Sequence, residues 1–357
     1  SGGFTNNASE FATTISGGYS NCASGNYSTV SGGFTNNASE FATTISGGHS
    51  NCASGNYSTV SGGYCNITNA RYSIISGGHR NIIQSPTNEC CSRGATIGGG
   101  VGHNSSGGTL NTTTGDITGE ITCFNAGAFS TIGGGLRNCA TGDYSNVSGG
   151  NNNTASGTRS TVSGGLSNCA SAFYSTVSGG RLNSASANYS TVSGGYDNCA
   201  SAFYSTVGGG FLNVASVSYS TVSGGQLNSA SGSTSTVSGG WCNCASGNWS
   251  TVSGGRSNCA SGYFSSVSGG YCNITNARHS TISGGNRNII QSPTNECCSR
   301  GATIGGGVGH NSSGGTLNGT TGDLTGTITC CNAGAYSTIG GGLRNIVTGN
   351  CSTVSGG

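Results

Sequence analysis

Residues 178–192 read SGGRLNSASANYSTV, and residues 193–207 read SGGYDNCASAFYSTV. This 15-residue unit tiles the whole chain in twenty copies, some of them lengthened. Residues 61–147 and 268–354 are near copies of each other, so the longer units recur as well. A short fixed period is typical of a solenoid, in which each repeat forms one coil.

Position 15 of the unit, counted from the serine of Ser-Gly-Gly, is isoleucine or valine in all twenty copies. A flexible Gly/Ser linker has no reason to keep a β-branched residue at one phase. The segment around it is too short for a helix and is bounded by Gly-Gly, which favours a short strand. We therefore predict that position 15 lines the core. The predicted core residues include Val30, Val60, Val162, Val177, Val192, Val207, Val222, Val237 and Val252.

One unit cannot bury its few apolar side chains alone, so neighbouring units must stack. The predicted fold is all-β: one continuous parallel β-solenoid over residues 1–357, with about twenty 15-residue coils spaced about 4.8 Å apart. Inserted loops enlarge the coils at residues 76–97, 98–132, 283–304 and 305–339. The last three residues begin a further unit, so we expect this chain to be a window on a longer repetitive polymer.

Position 6 is asparagine in eighteen units and histidine in the other two, at His103 and His310. Asparagine tolerates the left-handed conformation of a sharp corner, and identical amides on neighbouring coils can hydrogen-bond along the axis. Both interpretations give position 6 a structural role. Glycine at positions 2 and 3 also fits a corner, where a Cβ would clash. The predicted ladder of asparagines includes Asn21, Asn51, Asn168, Asn198, Asn243 and Asn258.

The composition excludes several partners and activities. Only 6% of the residues are charged and the net charge is +2, which cannot neutralise a row of nucleic-acid phosphates. No apolar run is long enough to span a membrane, so we expect no membrane insertion. The 9 carboxylates and 5 histidines are scattered over coils too thin to enclose a pocket. We therefore expect no catalytic site, no metal, no cofactor and no enzymatic activity.

Residues 27–33 read YSTVSGG and continue at residues 36–40 as NNASE. This rhythm resembles the head repeats of trimeric autotransporter adhesins, whose unit is usually one residue shorter. The resemblance covers nearly all of the chain except the enlarged coils, and it implies a left-handed β-roll, often of three chains, that serves surface attachment. Similar short repeats occur in viral and phage fibres. The chain differs from those heads in its 18 cysteines.

The cysteines form two groups. Those at position 7 are mostly two coils apart, about 9.6 Å, which is beyond the reach of a disulfide. We interpret them as small buried thiols that fill the core, with bonds to a neighbouring chain as the alternative. They are Cys22, Cys52, Cys139, Cys169, Cys199, Cys244 and Cys259. The cysteines of the enlarged coils are expected to form disulfides between loops in an oxidising extracellular setting, with metal binding as the alternative. They are Cys90, Cys91, Cys123, Cys297, Cys298, Cys330 and Cys331.

Asn-x-Ser/Thr signals mark candidate N-glycosylation sites, provided that a eukaryote secretes the chain. The sites at position 11 and in the loops are expected to carry glycans, whereas most ladder asparagines lack the signal. The candidates are Asn26, Asn56, Asn104, Asn111, Asn188, Asn248, Asn311 and Asn318.

Three further columns are expected to face outward. Aromatic residues occupy positions 4 and 12, where they could pack against a neighbouring filament, stack on sugars or cover the corners. Threonine occupies position 14 in seventeen of twenty units, and this regular column raises ice binding as an alternative function. Examples of the aromatic residues are Tyr19, Tyr27, Tyr174, Tyr189, Tyr204, Phe211, Trp241 and Trp249.

These observations predict a structural subunit of a fibre on a cell surface, on a virion surface or in the extracellular space. Adhesion is one role that such a fibre could serve, and a viral attachment fibre is a further alternative. The expected partner is the chain itself, in a filament or a homo-oligomer that the resemblance suggests is a trimer. Glycans are a second expected partner. Neutral sides permit such self-association without electrostatic repulsion.

Overall fold

The computed structural model describes most of the chain, and the secondary structure of this part consists of short β-strands and turns without an α-helix. It falls into two compact units, Ser1–Ala185 and Ser186–Gly357. The described residues are 2–85, 92–106, 109–110, 117–118, 127–292, 298–313, 316–317, 324–325 and 334–357.

Each regular coil carries two strands of two residues and one isolated bridging residue at position 4. We call the strand at positions 7 and 8 the position-8 strand, and the strand at positions 14 and 15 the position-15 strand. Each pairs in parallel and in register with its counterpart on the next coil, as Thr29–Val30 does with Thr44–Ile45 and Cys22–Ala23 with Asn37–Ala38. The sequence period is therefore the coil period. This confirms the predicted parallel β-solenoid of about twenty coils, while the continuity of one solenoid over residues 1–357 stays a prediction.

The first unit contains both strand columns. Its position-8 strands are Asn7–Ala8, Cys22–Ala23, Asn37–Ala38, Cys52–Ala53, Ile67–Thr68, Ile82–Ile83, Cys139–Ala140, Thr154–Ala155, Cys169–Ala170 and Ser184–Ala185. Its position-15 strands are Thr14–Ile15, Thr29–Val30, Thr44–Ile45, Thr59–Val60, Ile74–Ile75, Thr96–Ile97, Thr131–Ile132, Asn146–Val147, Thr161–Val162 and Thr176–Val177.

The second unit has the same organisation. Its position-8 strands are Cys199–Ala200, Val214–Ala215, Ser229–Ala230, Cys244–Ala245, Cys259–Ala260, Ile274–Thr275 and Ile289–Ile290. Its position-15 strands are Thr191–Val192, Thr206–Val207, Thr221–Val222, Thr236–Val237, Thr251–Val252, Ser266–Val267, Thr281–Ile282, Thr303–Ile304, Thr338–Ile339 and Thr353–Val354.

The enlarged coils keep the register of the stack. Thr96–Ile97 pairs with Ile74–Ile75 on one side and with Thr131–Ile132 on the other, although the coils between them are longer than 15 residues. The insertion that follows Thr96–Ile97 carries an antiparallel pair of its own, Thr109–Leu110 with Ile117–Thr118. The second unit repeats this pair as Thr316–Leu317 with Leu324–Thr325. The inserted residues therefore do not displace the residues that stack.

The core lies between the two strand columns and is built from small side chains. Away from the first and last coils, alanine at position 8 and valine or isoleucine at position 15 are fully buried, as at Ala38 and Ile45. Serine at position 13 and asparagine at position 6 are buried beside them, as at Ser58 and Asn51. Each of the nine valines that the sequence assigned to the core has 0% exposure: Val30, Val60, Val162, Val177, Val192, Val207, Val222, Val237 and Val252.

Candidate interaction surfaces of the coil

The asparagines at position 6 form a buried hydrogen-bonded ladder. The backbone N–H of Asn51 donates to Oδ1 of Asn36 at 3.0 Å. Nδ2 of Asn51 donates to the carbonyl of Gly47 in its own coil and to that of Gly63 in the next coil, both at 3.0 Å. Nδ2 of Asn51 also donates to Oδ1 of Asn36 in the preceding coil at 3.1 Å, so one side chain joins three successive coils. The predicted ladder residues are all almost fully buried: Asn21, Asn51, Asn168, Asn198, Asn243 and Asn258.

The left-handed corners lie at positions 5 and 12 and not at the ladder asparagine. Ser50 and Tyr57, for example, have φ values of 55° and 59°. Their backbone N–H groups donate to the carbonyls of Phe34 and Phe41 on the preceding coil, both at 2.9 Å. The interpretation of position 6 as a left-handed corner is therefore wrong. Nothing in the sequence marked position 12, because a bulky side chain is uncommon at positive φ.

The two glycines of each pair differ in what surrounds them. A Cβ built on Gly255, at φ +84°, would overlap the carbonyl oxygen of Gly270 and approach Nδ2 of Asn258 to 2.6 Å. A Cβ on its neighbour Gly254, at φ +158°, would meet nothing within 4 Å. Close stacking of coils therefore requires the second glycine of the pair, at position 3.

Histidine replaces the ladder asparagine at two places and keeps the ladder connected. The backbone N–H of Asn138 donates to Nδ1 of His103 at 3.1 Å, and that of Asn345 donates to Nδ1 of His310 at 3.0 Å. Nε2 of His103 is fully buried, and the backbone of Gly99 and Gly135 lies around the ring without a hydrogen bond of good geometry to this nitrogen. Burial lowers the pKa of His103 to about 4 and lowers the pKa of His310 as well. Both imidazoles are therefore neutral acceptors near pH 7, in a structural role.

Aromatic rings at position 4 form a stacked column, which we call the position-4 ring column. Successive ring centroids are 4.8–5.5 Å apart and the ring planes lie within 13° of parallel. Because each face covers the face of its neighbour, solvent meets the ring edges, and Tyr19, Phe34 and Tyr64 keep 41–43% exposure. The column consists of Phe4, Tyr19, Phe34, His49, Tyr64 and His79.

Arginines continue the ring columns where an aromatic residue is missing. The guanidinium of Arg256 lies 4.1 Å from the ring centroid of Trp241 and 5.6 Å from that of Tyr271, one coil to either side. A planar cation over a ring face is a favourable replacement for a ring, with a stabilisation on the order of 0.5–1 kcal/mol at an exposed site. Nothing in the repeat pattern marked this arginine for such a role.

The position-12 rings stack in the same way. Tyr204 lies between Tyr189 and Tyr219, with centroid distances of 4.7 and 5.4 Å. Phe203 packs edge-on against Tyr204 at 4.4 Å. The other aromatic residues singled out in the sequence, Tyr27, Tyr174, Phe211, Trp241 and Trp249, keep between 36% and 51% exposure.

The position-14 threonines form a half-exposed column on the outer side of the position-15 strands. Thr29 and Thr44 are register partners, and Thr44 is followed by Thr59. Each of these strands has a single outward side chain, since its other residue points into the core.

The position-7 cysteines do not fill the core, and that interpretation is wrong. Cys22, Cys52, Cys139, Cys169, Cys199, Cys244 and Cys259 are free thiols of intermediate burial. The core position in each of these strands belongs to the following alanine, because successive side chains of a strand point to opposite sides. Burial raises the pKa of Cys139 to about 11 and also raises the pKa of Cys52 and Cys169. These three thiols are therefore poor nucleophiles near pH 7.

The loop cysteines lie almost entirely outside the described residues. Cys298 is described and is disulfide-bonded, while the pairing of the group stays a prediction. Outside the described residues are Cys90, Cys91, Cys123, Cys297, Cys330 and Cys331.

The candidate glycosylation sites divide by exposure. Asn26, Asn188 and Asn248 at position 11 are exposed and Asn56 is half-exposed. Oδ1 of Asn26 accepts the backbone N–H of Phe11 on the preceding coil at 3.1 Å. Asn104 and Asn311, in contrast, have 3% and 0% exposure, so the structure contradicts their assignment as glycan sites: a folded coil has no room for a sugar there. Asn111 and Asn318 lie outside the described residues.

No protein-family model matches the chain, and no curated protein matches it either. The likeness to autotransporter heads therefore rests on the repeat residues alone. Among the described residues, no group of three or more His, Cys, Asp or Glu side chains is placed to hold a metal ion. The described part of the chain also contains no helix with the length and apolar character needed to cross a membrane.

Proposed function

We propose that this chain is a non-enzymatic structural subunit of an extracellular or surface fibre, and that copies associate side by side. The position-4 ring column carries the proposal. It presents a row of apolar ring edges at the spacing of the coils.

The geometry of the ring column favours a protein partner over a sugar. A sugar ring stacks on an aromatic face, and in this column each internal face is already covered by the next ring. The exposed edges carry the positive end of the ring quadrupole and pack best against other apolar or aromatic groups.

A second copy of the chain is the partner that fits these edges. Its rings repeat at the same coil spacing of about 4.8 Å, so two columns can pack edge to edge along their whole length. The net charge of +2 over 357 residues gives little repulsion between copies. The disulfide bond of Cys298 supports an oxidising, extracellular setting, and adhesion or a place on a virion remains part of the proposal.

Replacement of three rings tests the proposal. The variant Y19Q/F34Q/Y64Q places glutamine at three ring positions, and glutamine already occurs at position 4 as Gln226. We expect the wild-type chain to form laterally associated species in sedimentation velocity and electron microscopy, and the variant to lose at least tenfold in association at unchanged far-UV circular dichroism.

The matched control is T29S/T44S/T59S, which alters the half-exposed threonine column on three consecutive coils of the same part of the stack and should associate like the wild type. Association of the ring variant at the wild-type level would overturn the proposal. Strong weakening of the wild-type association by added salt would point to charge pairing instead.

Ice binding is the second candidate, favoured by the in-register threonines at position 14. The wild-type chain and the variant T29S/T44S/T59S also test ice binding. Thermal hysteresis that T29S/T44S/T59S abolishes would support ice binding, whereas freezing like that of a buffer control would remove it.

A further inference from the structure

Two free cysteines occupy neighbouring coils of the second unit. Cys244 and Cys259 are register partners in adjacent parallel position-8 strands. Cys169, by comparison, has Thr154 and Ser184 as its register partners. Among the described free cysteines, the pair at Cys244 and Cys259 is the one with both members at position 7 of adjacent coils.

The register brings the two thiols within bonding range. Cα atoms of register partners in a parallel sheet are about 4.8 Å apart, and disulfides join Cα atoms about 4.4–6.8 Å apart. Both side chains leave the strand on the outer side and are only half-buried, so a small oxidant can reach them. The two thiols already hydrogen-bond to each other.

The surroundings of Cys244 favour its thiolate. The hydrogen bond from the Cys259 thiol lowers the pKa of Cys244, and the hydroxyls of Ser246 and Ser231 lower it further. The pKa of Cys259 is raised by the same contact. A pair with one nucleophilic thiolate and one adjacent thiol is the arrangement that disulfide exchange requires.

We propose that Cys244 and Cys259 form a cross-coil disulfide when the chain meets a low-molecular-weight disulfide such as oxidised glutathione. The Cys244 thiolate attacks one glutathione sulfur, which forms a mixed disulfide and releases one glutathione thiolate. Cys259 then loses its proton and attacks the Cys244 sulfur, which releases the second glutathione. The two cysteines together lose two electrons and two protons, and the glutathione disulfide is reduced to two thiols.

The bond would tie two adjacent coils covalently and close a loop over residues 244–259 that contains the position-15 strand Thr251–Val252. Coil separation at this place then requires reduction. This inference does not depend on the proposed fibre function, since it concerns a bond within one chain.

Peptide mapping tests the proposal on the full chain. Trypsin cuts after Arg181, Arg256 and Arg278, so Cys244 and Cys259 fall in separate peptides, 182–256 and 257–278. The reduced chain is incubated with oxidised glutathione at low protein concentration, alkylated, isolated as a monomer in denaturant and digested. We expect the two peptides to be linked before other cysteine pairs form.

Cysteine variants show which thiols form the link between the two peptides. C242S/C272S eliminates the other nearby thiols and should still give the linked peptides, whereas C244S should not. Serine is compatible with position 7, which it occupies at Ser184 and Ser229. Linked peptides in C244S, alkylated Cys244 and Cys259 after exposure to the oxidant, or a link found only between two chains would each overturn the proposal.

Discussion

Single residues hold the coils together through closely packed atoms. The ladder asparagine packs between the coils with an amide that contacts three of them, as at Asn51. Gly63 leaves the space that the amide of Asn66 and the next coil need. A Cβ at Gly63 would approach Nδ2 of Asn66 to 2.6 Å. The backbone therefore stacks closely only where the second residue of the Gly-Gly pair has no side chain.

Alanine substitution at the two glycines of one pair should give unequal losses of stability. We expect G255A to lower the free energy of unfolding by ~3 kcal/mol or more, since strain at positive φ contributes ~1–3 kcal/mol and the overlap with Gly270 adds to it. G254A should cause a smaller loss, because its Cβ meets open space. Urea unfolding followed by circular dichroism measures both. Equal losses would show that close stacking at position 3 is not the cause.

The two ladder histidines make the stability depend on pH. The pKa of His103 is about 4 in the folded chain and about 6.5 when unfolded, so the unfolded chain takes up a proton first. The stability that a neutral His103 contributes is fully present above pH ~6.5, decreases below it, and is lost as the pH falls through ~4. Thermal unfolding at pH 7.5, 5.5 and 4 should show this decrease.

The variant H103N/H310N is the control for that dependence. Asparagine is the residue that eighteen other units place at this position, so the ladder should persist. We expect the variant to lose less stability than the wild type between pH 6.5 and 4. An identical pH profile in both proteins would exclude the histidines as its origin.

The two-residue strand is the smallest element of the fold, and its two residues face opposite ways. In the strand Thr221–Val222, threonine is half-exposed and valine is buried. The invariant aliphatic residue at position 15 predicted this phase correctly. The position-7 cysteines were assigned to the wrong side, because alanine and cysteine are both small and the sequence does not say which of the two points inward.

Exchange of the two side-chain types on one strand tests the phase. V222T places a hydroxyl in the core, where a polar group without a partner costs ~1–3 kcal/mol. T221V makes the reverse isosteric exchange on the outer side and should alter the free energy of unfolding by no more than ~0.5 kcal/mol. Thermal or urea unfolding compares them. A larger loss for T221V than for V222T would mean that the inner and outer sides are reversed.

At the scale of the whole molecule, the chain has few charges, many exposed rings and several accessible asparagines. The same 15-residue period sets the spacing of every surface column in both units, so a partner with this period meets side chains at matching intervals on every coil. Side-by-side assembly of identical chains uses that property, whereas a single compact ligand does not.

Glycan placement gives a whole-molecule prediction. After secretion from eukaryotic cells, we expect glycans at Asn26, Asn188 and Asn248, and none at Asn104 or Asn311, because the latter two are buried in the folded coil. Glycopeptide mass spectrometry of the folded, secreted chain measures the occupancy. The buried asparagines serve as the internal control, and full occupancy at Asn104 in a folded chain would contradict the observed burial.

The sequence by itself determined the period, the strand phase at position 15 and the fold class. These follow from a residue pattern that repeats without exception and that only stacked coils can bury. Tertiary structure decided which small residue fills the core beside Val30, where the left-handed corners lie, and which rings cover one another. It also decided which asparagines are accessible, as at Asn26 and Asn104. All of these depend on contacts between coils, and a pattern within one coil does not contain them.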